Sequence, residues 1–180
     1  MTLDLQPTLV GPQLALRPLA QDDFEELAAA AADPLIWALH PDPGRATRAG
    51  FERYFADALL SQACLVAVDT AHDVPVGCSR YTQYVPGASI SIGYTFLARS
   101  HWGGATNAEM KRLMLHHAFS DVQEVLFMVA EHNLRSRRAV EKLGALPRGV
   151  EDSPRWGQIH VIYGLTPRRW AQAAAPGYGP

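Results

Sequence analysis

The sequence has few cysteines, a small net charge and no long apolar run. Its two cysteines, Cys64 and Cys78, lie in apolar strand-like segments without a CxxC spacing, so we expect reduced core residues of a cytoplasmic protein. No apolar run reaches the roughly 18 residues that span a membrane, and the opening MTLDLQPTLVG lacks the pattern of a signal peptide. A net charge of −2 argues against nucleic acid or an anionic membrane as a partner, because both attract basic surfaces.

Several site signatures are also missing. Neither GxGxxG nor GxxxxGK[ST] occurs, so the dinucleotide and nucleoside-triphosphate cradles lack their fingerprint. His116 and His117 are adjacent and would point in different directions on a helix, and no HExxH or Cys/His ligand spacing is found. We therefore expect no metal site.

The pattern that is present is typical of one mixed α/β domain. The 180 residues are 48% hydrophobic and 19% charged, which is enough for one core. Apolar periodicity predicts helices near 21–33, 45–60, 107–119 and 133–144. It predicts strands in LALRPL, ACLVAVD, PVGCSRYTQ, SISIGYTFLA, EVLFMVAE and IHVIYGL. This order indicates a mixed domain over 1–173, rather than a doubly wound sheet, and a flexible tail over 174–180.

The segment SHWGGATNAE, residues 100–109, joins a predicted strand to a predicted helix and has two interpretations. In the first, Thr106 and Glu109 form a capping box, with the threonine hydroxyl accepting from the Glu109 backbone N–H and the carboxylate reaching back. In the second, the free N–H groups of Gly103, Gly104 and Ala105 hold an anion at the positive end of the helix dipole. The segment alone does not decide between a turn and a phosphate cradle.

A second predicted helix start is rich in arginine. Asn133 is a good N-cap, and Arg135, Arg137 and Arg138 follow in the first turns. Cations there oppose the helix dipole by about 0.3–1 kcal/mol each, a cost that a nearby phosphate would remove. Alternatively, Arg137 pairs with Glu141 and the other arginines are solvated. Two such helix starts after neighbouring strands would together suit a polyanionic cofactor.

These two segments resemble the motifs of the GNAT (Gcn5-related) N-acetyltransferases, particularly the branch of ribosomal-protein N-terminal acetyltransferases. The acetyl-CoA loop of that family, [R/Q]-x-x-G-x-[G/A], is similar to residues 100–105, where Gly103 and Ala105 match and Ser100 replaces Arg or Gln. The N-x-x-[A/S] helix of the family, which ends in glycine, is similar to residues 133–144. The resemblance implies a single acyl-CoA N-acyltransferase domain with a central mixed, mostly antiparallel twisted sheet flanked by helices.

The resemblance also implies acetyl-CoA as the cofactor and places it on both motifs. The loop backbone would hold the pyrophosphate, and the pantetheine arm would lie between two splayed strands and pair with the backbone near Phe96 and Ala98. The amide of Asn133 would bind the arm, while Arg135 and Arg138 would reach the outer phosphates. The implied cofactor-binding residues are Phe96, Ala98, Trp102, Gly103, Gly104, Ala105, Thr106, Asn107, Asn133, Arg135, Ser136 and Arg138.

The implied reaction moves the acetyl group to a primary amine of a protein N-terminus or a small molecule. An ammonium cannot attack a thioester, so a base must remove a proton, and the leaving thiolate gains from a donor. Val140 stands where many family members carry a tyrosine acid, which leaves Ser136 to hydrogen-bond the thiolate or position a water, unless it only packs against the cofactor. Candidate bases are Glu131 and His160, with the acidic pair at 151–152 in the next loop, or a water chain, as alternatives.

The sequence also offers candidate acceptor contacts and an expected assembly. Aromatic candidates for acceptor contacts are Trp37, Tyr81 and Tyr94, although core packing is the commoner role of such residues. A non-catalytic coenzyme A binding module is one alternative to an enzyme, suggested by Ser100 and Val140. A structural domain in which the glycine loop is only a turn is another. Dimers are common in the family, which adds a homodimer to the expectations.

Overall fold

The computed structural model describes residues 2–153 and 157–173, so the predicted tail over 174–180 lies outside the described residues. Three short 3-10 turns occur at Gln21–Asp23, Pro43–Ala46 and Arg99–His101. The helices are α1 (Phe24–Ala31), α2 (Pro34–Trp37), α3 (Arg48–Leu60), α4 (Thr106–Ala118), α5 (Leu134–Glu141) and α6 (Pro167–Ala173). The strands are β1 (Leu9–Val10), β2 (Leu14–Pro18), β3 (Cys64–Asp69), β4 (Val74–Val85), β5 (Ser89–Leu97), β6 (Glu124–Ala130), β7 (Leu146–Ser153) and β8 (Gln158–Leu165).

The eight strands form one sheet in the order β1-β2-β3-β4-β5-β6-β8-β7. The β5–β6 pair is parallel and the other neighbours are antiparallel, which confirms the mixed, mostly antiparallel sheet. The parallel pairing joins only Ser89–Ser91 to Glu124–Leu126. The two strands are not paired beyond Ser91 and Leu126, and we name the unpaired region between 92–97 and 127–130 the β5–β6 gap.

Two apolar clusters cover the two faces of the sheet. One lies beneath α4 and α5 and includes Ile90, Ile92 and Met114; the other lies beneath α1, α2 and α3 and includes Phe51 and Phe96. Each such fully buried side chain stabilises the fold by about 1.5–3 kcal/mol. Because side chains alternate between the two faces along a strand, every second residue of a regular strand lies on the same face of the sheet.

Strand β7 is the largest element that the sequence pattern missed. Its side chains from Leu146 to Asp152 are all exposed, so no apolar alternation marks them. The strand forms because its backbone pairs with β8, with Glu151 opposite His160 and Asp152 opposite Ile159. The expectation that Glu151 and Asp152 lie in a loop was therefore wrong.

The capping box at the start of α4 does not form. The N-cap position is Ala105, without a side-chain cap, and helix α4 begins at Thr106. The Glu109 carboxylate instead accepts backbone N–H groups of Gln13 at 2.9 Å and Leu14 at 3.1 Å, at the start of β2. The carboxylate bonds to these distant N–H groups rather than to its own helix, because the N–H groups at the start of β2 need an acceptor.

In the described residues, no helix is both long and apolar enough to cross a membrane.

Candidate functional site

The β5–β6 gap is lined by backbone groups of the last residues of β5. The Ala98 N–H donates to the Val76 carbonyl at 2.7 Å, and Phe96 pairs with Cys78. Ala98 and Phe96 therefore direct their backbone groups toward β4. Because backbone groups alternate along a strand, Thr95 and Leu97 direct theirs toward the gap. The expected pairing of the arm at Phe96 and Ala98 does not fit this backbone orientation, which instead turns the groups of Thr95 and Leu97 toward the gap.

A β-bulge interrupts β5 beside the gap. Tyr94 has a φ of +52°, in the left-handed region that few non-glycine residues adopt. The β4–β5 register shifts there, between Cys78–Phe96 and Arg80–Gly93. Tyr94 and Thr95 therefore both stand opposite the single residue Ser79.

The glycine loop that follows β5 ends at the N-terminus of the 13-residue helix α4. Gly103 has a φ of +73°, and a Cβ added at Gly104 would meet nothing within 4 Å. The N–H groups from Gly103 to Thr106 donate to no described residue. Unbonded N–H groups at the positive end of a helix form a site for an anion such as a phosphate.

Polar contacts hold the first part of this loop. Arg99 forms an ion pair with Asp33 at 3.0 Å. His101 Nε2 lies 3.3 Å from an Asp69 carboxylate oxygen, and its Nδ1 lies 2.9 Å from Ser100 Oγ. Bonds from His72, a backbone N–H and His101 lower the pKa of Asp69 to about 2, so this anchor is charged at neutral pH. Ser100 thus binds within the loop, while the backbone beyond it is left for a ligand.

Trp102 connects the loop to the gap and to α5. Its Nε1 donates to the Leu97 carbonyl at 2.9 Å, and its ring lies 4.0 Å from the Arg135 guanidinium carbon. Arg135 also donates to the Ile36 carbonyl of α2 at 3.1 Å. The two predicted cofactor motifs are therefore in direct contact, and α2 closes against both.

Asn133 is the N-cap of α5, as predicted, and the helix begins at Leu134. Asn133 is 8% exposed, and its Oδ1 accepts the Ser136 N–H at 3.1 Å. This cap uses the amide oxygen, so the side-chain NH₂ is the part that can serve a ligand. The half-buried Ser136 hydroxyl forms no hydrogen bond with the described residues.

The other α5 residues have structural roles or face solvent. Arg137 donates to the Tyr163 hydroxyl at 2.9 Å, and that hydroxyl donates to Glu141 at 2.7 Å, so a tyrosine bridges the expected ion pair. Val140 is buried in the core at 6% exposure. Arg138 is exposed.

The two candidate bases lie in different environments. His160 is 7% exposed on β8, opposite Ala130 at the end of β6, and its Nδ1 lies 3.3 Å from the Gln158 carbonyl. Since a carbonyl only accepts, Nδ1 carries the proton and Nε2 is the basic nitrogen. Glu131 is exposed in the turn after β6.

The aromatic candidates for acceptor contacts are divided between the core and the site. Tyr81 is 1% exposed, and its hydroxyl donates to the Met114 carbonyl at 2.7 Å beneath α4, so the expectation of an acceptor contact there is corrected to a core role. Trp37 is 2% exposed and donates to the Ala31 carbonyl at 2.8 Å. Tyr94 is half-buried at the bulge beneath the Arg80 guanidinium, at 4.4 Å.

A buried arginine and a histidine that the sequence pattern did not indicate lie beside Trp37. The Arg45 guanidinium lies over the Trp37 and Tyr54 rings at 5.6 and 4.6 Å and approaches His40 Nε2 at 3.3 Å. Burial, followed by the Arg45 charge, lowers the pKa of His40 to about 4, so this imidazole is neutral at pH 7. Their segment, HPDPG followed by Arg45, reads as a polar loop and gives no signal of burial.

Comparison with known proteins agrees with this geometry. A model of the acetyltransferase (GNAT) domain matches residues 13–146. A GCN5-related N-acetyltransferase from Brucella melitensis is 20% identical, with a TM-score of 0.82 over 96% of this chain and 86% of that one. RimJ of Mycobacterium smegmatis in complex with CoA-disulfide is 18% identical, with a TM-score of 0.71 over 93% and 94%. AAC(6')-Ib in complex with ribostamycin and coenzyme A is also 18% identical, with a TM-score of 0.72 over 91% and 99%.

The fold is therefore that of the GNAT N-acetyltransferases. Since the family model covers most of the sequence, the chain belongs to the GNAT acetyltransferase family. The acyl donor of the GNAT acetyltransferase family is acetyl-CoA. No curated protein sequence matches the chain.

Proposed function

We propose that the chain transfers the acetyl group of acetyl-CoA to a primary amine. The observation that carries this proposal is the β5–β6 gap, which Thr95 and Leu97 line with backbone groups and which leads to the unbonded N–H groups of the glycine loop. In the overall reaction a C–N bond forms and the C–S bond breaks, one proton leaves the amine nitrogen and one reaches the sulfur. Acetyl-CoA supplies the activated thioester.

The donor is held by backbone groups rather than by a charged side chain. The N–H groups of Gly103, Gly104 and Ala105 bind the pyrophosphate, which fits the replacement of the family's Arg or Gln by Ser100. The Asn133 NH₂ donates to a carbonyl of the pantetheine arm, because its oxygen is committed to the helix cap.

Ser136 is the donor that we assign to the leaving sulfur. Its hydroxyl is half-buried and has no hydrogen-bond partner among the described residues, and it lies one turn into α5, close to the Asn133 cap. A serine hydroxyl is too weak an acid to give up its proton at neutral pH, so it stabilises the thiolate by hydrogen bonding and the proton comes from water.

His160 is the base that we assign to the acceptor amine. It is buried beside the end of β6, and its Nδ1–H is directed to a backbone carbonyl, which leaves Nε2 to accept a proton. Glu131 is instead exposed in the turn beyond the end of β6.

Steady-state release of coenzyme A, measured with a panel of peptides, polyamines, amino acids and aminoglycosides, tests this function. We expect turnover with at least one amine, and a fall of kcat by about tenfold or more in both Ser136→Ala and His160→Gln. Glu131→Gln is the matched control and should keep the rate. Tight binding of acetyl-CoA without turnover of any amine would favour the non-catalytic binding module instead.

A further inference from the structure

Helix α4 carries a lysine into the core beneath the β5 bulge. Lys111 is 7% exposed, and its Nζ donates to Thr95 Oγ1 at 2.6 Å and to Ser79 Oγ at 3.0 Å. The two hydroxyls also lie 2.7 Å apart, and each is 3.4 Å from the Gly93 carbonyl. Nζ and the two hydroxyls thus form a closed polar triangle in an otherwise apolar cluster.

The number of partners of Nζ matches a neutral amine. A neutral amine has two N–H groups, and both find acceptors in Ser79 and Thr95, whereas an ammonium would carry a third without a partner among the described residues. Burial lowers the pKa of Lys111 to about 7, opposed in part by the Cys78 thiol on β4. Cys78 is the titratable group that acts on Nζ, since Ser79 and Thr95, which face it from β4 and β5, do not titrate in this range.

The same triangle holds one side of the bulge. Thr95 stands with Tyr94 opposite Ser79, so the hydroxyl pair ties the extra residue of β5 to β4. On the other face of the sheet, Tyr54 donates to the Tyr94 carbonyl at 2.6 Å. The backbone of Thr95, which faces the β5–β6 gap, is therefore fixed through its own side chain by Lys111.

We propose that Lys111 is a positioning residue for acetyl transfer, because its bonds to Thr95 and Ser79 hold the bulge in the conformation that aims the Thr95 backbone into the gap. This inference rests on the proposed function. Protonation of the amine adds a donor that the triangle cannot accept, so the bulge loosens as the pH falls through neutrality. In this proposal Lys111 itself contacts neither acetyl-CoA nor the amine that accepts the acetyl group.

Two matched variants separate this role from packing. Lys111→Met keeps an unbranched side chain, one atom shorter than lysine, and removes both bonds. Thr95→Val removes the hydroxyl at constant volume, whereas Thr95→Ser keeps it. We expect kcat to fall at least tenfold in Lys111→Met and Thr95→Val with the acetyl-CoA dissociation constant changed less than threefold. Thr95→Ser should keep more than half of the wild-type kcat.

A readout independent of turnover is amide hydrogen exchange in the free protein. We expect the Tyr94 and Thr95 N–H groups to exchange at least tenfold faster in Lys111→Met and Thr95→Val than in wild type and Thr95→Ser. The wild-type kcat profile should also show a transition near pH 7 that is absent from Lys111→Met. Unchanged local exchange, or a retained transition with lower thermal stability alone, would overturn the inference. Absence of turnover in wild type would instead contradict the proposed function, and the exchange comparison would still decide the role of Lys111.

Discussion

The guanidinium of Arg135 lies 4.0 Å from the ring centroid of Trp102, while the indole N–H of Trp102 donates to the Leu97 carbonyl. This carbonyl is one of the backbone groups that face the β5–β6 gap. An arm that donates to the Leu97 carbonyl therefore competes with the indole N–H for that oxygen. The loop, α5 and α2 meet at this contact, since Arg135 also binds the Ile36 carbonyl.

Trp102→Phe should tighten the binding of coenzyme A by about two- to tenfold. The substitution removes the N–H that competes for Leu97 but keeps a ring beneath Arg135, and one net hydrogen bond contributes about 0.5–1.5 kcal/mol. Isothermal titration calorimetry measures the change. Trp170→Phe, which alters a ring packed on Phe119, is the control and should bind as wild type does. Weaker binding in Trp102→Phe would show that the indole supports the ligand rather than competing with it.

Gly104→Val should leave the free protein stable and reduce coenzyme A affinity at least tenfold. An added Cβ at Gly104 meets nothing within 4 Å, so the side chain occupies only the space above the loop N–H groups. Gly103→Ala is the contrasting variant: its φ of +73° makes any Cβ strained, and we expect a loss of stability of about 1 kcal/mol. Calorimetric titration and urea unfolding of both variants measure the two effects. Equal affinity of Gly104→Val and wild type for coenzyme A would show that the loop is only a turn.

Asn133→Asp should separate the two functions of that amide. The aspartate keeps an oxygen for the Ser136 N–H, so the helix cap and the stability are retained. It loses the NH₂ that we assign to the pantetheine arm, so we expect at least fivefold weaker binding of acetyl-CoA. Asn133→Ala should lose both, with a fall in stability of about 1 kcal/mol. If Asn133→Asp binds acetyl-CoA normally, the amide serves only the helix.

Protonation of His40 should contribute to acid unfolding. Its pKa falls on folding from an ordinary 6.5 to about 4, so the native state holds the neutral ring. The stability that this neutral ring contributes is complete above pH 6.5 and is lost as the pH falls toward 4, by at most about 3 kcal/mol. Urea unfolding at pH 7 and pH 4.5 should show a smaller loss in His40→Asn than in wild type. The exposed His116→Asn serves as the control, and a loss in His40→Asn equal to that of wild type would contradict the assignment.

The sequence by itself determined the elements that bury one face and the order in which they come. Apolar periodicity located six of the eight described strands and the principal helices, because burial of one face repeats every two or 3.6 residues. It also indicated both helix starts of the site, since Gly103 and Asn133 have local conformational and capping roles. These features depend on neighbours within a few residues.

Only the tertiary structure decided the features that depend on register and on distant partners. Strand β7 exists because β8 offers it backbone groups, and the Glu109 carboxylate left its local cap because β2 presented two N–H groups. The backbone that faces the gap is that of Thr95 and Leu97 because one bulge sets the alternation. Lys111 is buried because the hydroxyls on β4 and β5 receive its amine, and nothing within α4 itself specifies those partners.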